Sequence, residues 1–281
     1  IQERENDLIL ATFGRSFYVL DDYSPLRNIH ALKNEKAKIF PIKDALMFVD
    51  ARPLGLRGKG SQGESLYNAE NPPIGAVISF YFNDTLRTLK EVRQIAEKNK
   101  IKNNLDVDYP SIDHLRKEDR EEKPYLIFTI FDDFGNEIRK ITLEPKLGIN
   151  RVVWDFRHTA QTNIKLKSTK PSRYGEPSSG PLALPGRYFV SMHKIEQGVA
   201  SLLVDRTPFN CKWLDKLSIP ANNKEELLSF QRKVDRLRKA VDASGEVIEL
   251  DKKRIDFIKS AFKNYPGLDI SYLDKLNEID Q

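Results

Sequence analysis

The chain is predicted to be mainly β with α, on three observations. Four apolar segments between Tyr125 and Val190 alternate with period two, each bounded by Gly, Pro, Asn or Asp, as antiparallel strands are. Ile74–Phe82 (IGAVISFYF) carries apolar residues on both faces, the mark of a strand covered from both sides. From Asn222 the apolar spacing changes to alternating three and four, which is a helix with one apolar face.

With 281 residues the chain can bury one large core or two modest ones. Its net charge of +5 is the difference between 46 basic and 41 acidic residues, interleaved along the sequence. A nucleic-acid binder gathers Lys and Arg on one face; with no such run, no nucleic-acid partner is expected. Cys211 is the single cysteine, which excludes an intrachain disulfide framework. No run approaches the ~18 apolar residues of a membrane-spanning helix, so no membrane span is expected. Ile1 is neither an initiator Met nor the start of a signal-like segment; the expectation is a chain that begins inside a longer or processed polypeptide.

Taken in order, Asp7–Thr12 and Ser16–Asp21 flank Phe13-Gly14-Arg15 and read as a β-hairpin. Such a hairpin is marginal alone, so its strands are expected to complete a sheet whose other members lie upstream of Ile1 or in another chain. Residues 30–73 form a connector ending in a Gly-rich loop. Gly58–Gly63 spells GxGxxG there, but Pro53 precedes it and Asn71-Pro72-Pro73 follows. The strand before and helix after that a dinucleotide site requires are both missing, and no cofactor is expected.

A β domain is placed at 74–208, with Ala76, Ile78, Phe80 and Phe82 on one face of its first strand. Asp84–Lys100 reads as an amphipathic helix and the polar run to Lys123 as an exposed excursion, together a helical insertion over 84–123. Asp132–Asn136 is a tight turn, since its carboxylates lack the spacing of a calcium loop. Val152, Trp154 and Phe156 share one face, with Trp154 in the core, while Asp155 and Arg157 share the other as a surface ion pair. Pro185-Gly186 make a turn before a strand at Tyr188–Met192, and Gly198–Asp205 is a further strand.

Residues 209–281 are assigned to a helical segment. Asn223 and Glu226 resemble a capping box, and Leu227, Phe230, Val234, Leu237 and Val241 form a seam that Ser244-Gly245 is expected to end. Ile255, Ile258 and Phe262 start a second seam, with a short third helix at Ser271–Ile279. The expected arrangement is a helical hairpin, the alternative being a partner helix from another chain with Leu227, Val234 and Leu237 as contact residues.

The chemistry-bearing residues do not converge. His30, His114, His158 and His193 lie far apart without Cys or His at ligand spacing, and no metal site is expected. Cys211 beside Trp213 reads as a packing residue. Asp21 and Asp22 are neighbours on a predicted strand, so their side chains should point to opposite faces and not serve one site. No catalytic residue is assigned.

The segments NDLILATFGRSFYVLDD (Asn6–Asp22), NPPIGAVISFYF (Asn71–Phe82), DDFGNEIRKI (Asp132–Ile141), GINRVVWDFRH (Gly148–His158) and GPLALPGRYFVSM (Gly180–Met192) occur in a recognisable order. Together they resemble the C-terminal third of secreted bacterial proteins with sortilin-like or BNR-type β-propellers, often labelled glycosyl hydrolase. In that family a "GTHGRSIWVLDD"-like segment closes the last blade. Gly14, Arg15, Asp21 and Asp22 match it, and Phe13 stands where the family has His. The region from Asn71 resembles an immunoglobulin-like module of the flagellar-hook capping type, signature "G…N…WDG…PG.Y". Trp154, Asp155, Pro185, Gly186 and Tyr188 match; Phe156 replaces the Gly and Arg157 follows it.

The resemblance implies propeller strands at 1–29, an Ig-like β-sandwich at 74–208, and an exported, surface or periplasmic location. It further implies a non-catalytic scaffolding and contact role, with the upstream propeller and other envelope proteins as partners. The alternatives are a glycoside hydrolase or sialidase-like enzyme whose site lies upstream, or a carbohydrate-binding module using Tyr67, Tyr174 and Tyr18. Asp84-Thr85-Leu86 is similar to a short bacterial O-glycosylation motif.

Overall fold

A computed structural model describes residues 1–14, 17–32, 35–48, 72–162, 180–214 and 223–265, with 267, 272, 275, 277 and 278 beyond them. Arg15, Tyr67 and Tyr174 lie outside the described residues, as does the GxGxxG segment. The chain divides into two units, Ile1–Arg157 with Ala183–Pro220, and His158–Leu182 with Ala221–Gln281.

Among the described residues the first unit holds ten strands. Leu8–Ala11 (β1) and Phe17–Leu20 (β2) form a two-stranded antiparallel sheet. Gly14 between them sits at φ +70°, a conformation that costs Gly little. A short helix at Ser24–Arg27 (α1) and a 3₁₀ turn at Ile29–Leu32 lead to Ala37–Ile39 (β3) and Ala45–Met47 (β4). Ala76–Phe82 (β5), Tyr125–Asp132 (β6), Glu137–Leu143 (β7) and Gly148–Trp154 (β8) follow. Gly186–Glu196 (β9) and Val199–Trp213 (β10) complete the set. They make a three-stranded sheet in the order β3-β5-β8 and a five-stranded sheet in the order β4-β10-β9-β6-β7. Every pairing is antiparallel except β4 with β10.

The core lies where the two larger sheets meet. Ala76, Ile78, Phe80 and Phe82 of β5 are fully buried, as are Leu126, Phe128 and Ile130 of β6. The rings of Phe80 and Phe128 are 4.8 Å apart across the interface. Burying so many large apolar side chains, at ~1.5–3 kcal/mol each, supplies the main stabilising term. The expected alternation of β5 is therefore the packing face, and the turn at Asp132–Asn136 is a tight one: the Asp132 carboxylate accepts from the backbone N–H groups of Phe134 (3.0 Å) and Asn136 (2.7 Å).

Between β5 and β6 stand two helices, Leu89–Lys102 (α2) and Ile112–Arg120 (α3). Thr88 and Glu91 cap α2 reciprocally, each side chain bonding the other's backbone N–H. The second helix falls in the polar run read as an exposed excursion within the helical insertion, for which no separate helix is assigned. It carries few apolar residues and is held instead by the bidentate pairing of Arg93 with Glu118 (2.6 and 2.9 Å) and by the Ser111 cap, so periodicity gave no signal for it.

β10 continues to Trp213, well beyond the Gly198–Asp205 strand expected from the pattern. Register shifts between Leu202 and Thr207 offset its pairing with β9 and break the simple alternation.

In the second unit the helical hairpin expected from the sequence is one continuous helix, Lys224–Asn264 (α4), of 41 residues. Ser244-Gly245 does not end it. Gly inside a helix costs only ~1 kcal/mol relative to Ala, Gly245 is not among the residues of positive φ, and Ser244 Oγ donates back to the Ala240 carbonyl (3.0 Å). Asn223 occupies the N-cap without capping by its side chain; its amide donates to the Glu226 carboxylate instead (3.1 Å). Most of Ser271–Ile279 lies outside the described residues.

Candidate contact surfaces

The β1–β2 hairpin presents apolar side chains on both faces. Ile9, Leu10, Tyr18, Val19 and Leu20 are exposed, Phe17 is 71% exposed and Phe13 fully so. Its base, in contrast, is tied to the rest of the unit by polar contacts. Arg151 of β8 donates to the carbonyls of Asp21 and Asp22, and Lys43 reaches the Glu5 carbonyl and the Asp22 carboxylate. Asp22 N–H donates to Asp7 Oδ1 (2.9 Å) and Tyr23 N–H to the Asn6 carbonyl (2.8 Å).

These ties frame a groove of about 740 Å³. Val77 and Val153, with Leu46 and Phe48, supply its apolar part; Asp7, Asp21, Asp22 and Asp44 give it an acidic rim, with Lys43 and Arg151 among them. Asp21 and Asp22 therefore line one groove, contrary to the expectation from strand alternation. β2 ends at Leu20 and Asp22 turns to φ +42°, so period-two geometry no longer holds there. Gly75 closes one edge at φ +150°; a Cβ on it would lie 2.4 Å from the Trp154 carbonyl oxygen.

Hydrogen bonding sets the charge states around the first unit. A hydrogen bond from Lys212, helped by one from Asn210 (3.0 Å), holds the Asp44 carboxyl below the usual carboxylate range. The Lys194 ammonium does the same for Asp84 (2.8 Å) and is itself raised by that bond. Arg93 lowers Glu118. Burial pushes the Cys211 thiol up to about 12, so it stays protonated and packs as an apolar side chain, in line with its sequence reading. Thr85, next to Asp84 in the sequence, is exposed.

Trp154 and Tyr188, which the sequence singles out, belong to an aromatic hub. Trp154 is fully buried, with Tyr188 at 4.9 Å, Phe156 at 5.9 Å and Phe209 at 6.0 Å in edge-on contact. Its indole N–H donates to the Arg157 carbonyl (2.9 Å), and Tyr188 Oη donates to the Leu184 carbonyl (2.5 Å) across the Pro185-Gly186 turn. The predicted same-face ion pair of Asp155 and Arg157 is replaced by a backbone contact: Asp155 Oδ1 accepts the Arg157 N–H (3.1 Å). β8 stops at Trp154 and Phe156 takes φ +59°, so the two residues no longer stand on a strand.

In α4, Leu227, Phe230, Val234, Leu237 and Val241 are all exposed, while Leu228, beside the seam, is buried. Further along, Phe262 touches the Tyr272 ring at 6.1 Å. His158 Nε2 lies 3.3 Å from Arg232 Nη2 within the same unit, and His114 lies 3.1 Å from Glu118 within the first. Among the described residues there is no group of three or more His, Cys, Asp or Glu placed to hold a metal ion, and no helix is long and apolar enough to cross a membrane.

No known family model matches the chain. Among curated proteins it is similar to the adapter protein unc-53 of Caenorhabditis elegans, 30% identical over 86 residues. The matched stretch is 30% of this chain, which spans about 5% of the length of unc-53, and membership of that family does not follow.

Proposed function

We propose that this chain is a non-catalytic scaffolding and protein-contact region of an exported bacterial surface or envelope protein carrying a β-propeller. The observation that carries the reading is the β1–β2 hairpin. Two four-residue strands with apolar side chains exposed on both faces are marginal alone and would be stabilised by the neighbouring strands of a blade. The polar ties of Arg151 and Lys43 to the hairpin base then act as the joint between that blade and the sheets that follow.

An Ig-like module in those sheets is supported by the Trp154–Tyr188 hub and by Phe156. Phe156 stands where the resembled signature has Gly, and its φ of +59° is one that Gly adopts at little cost. Recovery of the intact protein from envelope fractions, with partners retained in a pull-down, is the expected outcome. Recovery only as a free monomer refutes it.

A second reading, a carbohydrate-binding module, is favoured by the groove, whose Asp21, Asp22 and Arg151 offer hydrogen-bonding groups beside an apolar floor. Of the tyrosines proposed for it, Tyr18 is exposed on β2. Glycan retention that is lost in Asp21→Ala and Asp22→Ala variants would favour this reading over the first.

A further inference from the structure

The seam of α4 keeps a strict heptad spacing through the residues expected to end it. After Val241 it continues through Ser244, Ile248 and Asp251 to Ile255, Ile258 and Phe262, so nine of its eleven positions within the helix are apolar. At 1.5 Å per residue the helix runs about 60 Å. Over most of its length the burial of α4 does not follow this row: Leu228 is buried and Asp235 half-buried beside it, whereas Leu227, Val234, Leu237, Val241 and Ile248 are exposed; toward the end of the helix Ile255 and Phe262 are half-buried. A seam of this period and length matches a helix that winds against another.

The charges say what the other helix is. The two rows flanking the seam hold Lys233, Arg238, Lys252, Arg254 and Lys259, against one acid, Glu226. The row just behind one flank holds four acids in succession, Asp235, Asp242, Glu249 and Asp256, between Leu228 and Lys263. Arg238 approaches Asp242 at 3.9 Å and Arg254 approaches Asp251 at 3.0 Å; these exposed pairs on one helix bind weakly and leave the flanks basic overall. A second copy of this chain fits poorly. In a parallel pair Lys233 faces Arg238 of the second copy and Arg254 faces its Lys259; in an antiparallel pair centred on the helix, Arg238 lies beside its Lys252.

We infer that the α4 seam is the docking surface for a helix of a different protein, amphipathic with the same heptad spacing and acidic in the rows flanking its apolar face. Ser244 and Asp251 are polar positions inside the seam and set the register of that pairing. The inference rests on the reading of this chain as a contact region and names the partner's chemistry.

The test uses two synthetic peptides of five heptads, each with Ile and Leu in the seam, one with Glu and one with Lys at every flanking position. Each is labelled and titrated with the full chain by fluorescence anisotropy. The Glu peptide is expected to bind about ten-fold or more tightly than the Lys peptide at low salt, the gap closing as salt rises. Leu237→Asp, an exposed change that should leave the circular dichroism intact, should abolish binding. Equal binding of both peptides, binding of neither, or a dimer of the chain that Leu237→Asp dissolves overturns the inference. An envelope partner whose recovery survives Leu237→Asp, together with no peptide binding, refutes the seam but leaves the scaffolding reading standing.

Discussion

Replacing Trp154 by Ala should destabilise the first unit more than any other single truncation at its sheet interface. The side chain is fully buried and touches Phe156, Tyr188 and Phe209. Removing a large buried aromatic costs about 3–5 kcal/mol through lost transfer energy and the cavity left behind. Its N–H bond to the Arg157 carbonyl is worth about 1 kcal/mol more. Against the ~5–15 kcal/mol that a domain typically commands, a loss of about 4–6 kcal/mol brings the unit close to unfolding, with Tm lower by roughly 10–15 °C. Trp154→Phe, which keeps one ring and loses the donor, should cost about 2 kcal/mol. Because Trp154 and Tyr188 are in direct ring contact, their double-mutant cycle should show a coupling of about 0.5–1.5 kcal/mol. Urea melts followed by near-ultraviolet circular dichroism measure all of these, Trp213 remaining as the second indole. A cost below about 1 kcal/mol for Trp154→Ala, or strict additivity with Tyr188→Phe, would refute the placing of the hub at the centre of the core.

Gly75→Ala should cost about 2–4 kcal/mol in the same urea melts, because its Cβ would meet the Trp154 carbonyl oxygen at 2.4 Å and its φ of +150° is strained for any other residue. Arg151→Ala should release the hairpin: faster hydrogen exchange and proteolysis within residues 7–20, with the melting of the two larger sheets unchanged, since among the described residues the Arg151 side chain donates to the Asp21 and Asp22 carbonyls. Lys194→Met should cost about 1–2 kcal/mol at neutral pH by removing the ammonium that Asp84 accepts from. The sign follows from Asp84, whose carboxyl lies below its ordinary value of 3.8 in the folded protein. Its stabilisation is complete above that value and is lost as pH falls through the lower folded one, so stability curves of Lys194→Met and the parent should converge in acid.

Much of the fold was legible because the strands that build the core are long and regular. Ala76–Phe82 and Tyr125–Asp132 bury every second side chain, with Ser79 and Thr129 buried between them as well, and a run of apolar residues on both faces is what a covered strand encodes. Two elements departed from the reading for different reasons. α3 is held by Arg93–Glu118 and a Ser cap rather than by an apolar stripe, and the run of α4 through Ser244-Gly245 is decided by a penalty too small to override a seam that resumes at Ile248. In the first case the partner of a charge carried the information that hydrophobic period lacked; in the second the period, which continues past Gly245, outweighed a local breaker.

The groove was illegible for a more specific reason. A strand's period predicts faces only while the backbone stays extended, and the groove is built where it does not. Asp22 at φ +42° and Gly75 at φ +150°, both in its lining, turn the chain there. Asp21 and Asp22, which alternation would separate, are gathered there with Asp7 and Asp44 from other segments. The α4 seam is the opposite case. Its heptad, its basic flanks and the acidic row behind one of them can all be read from the sequence, because a helix of 41 residues keeps one period from end to end. What the sequence withheld was that Gly245 lies inside the helix. Once it does, two short stripes that could have covered each other become one long exposed stripe, and the face that needs covering has to be matched from outside α4.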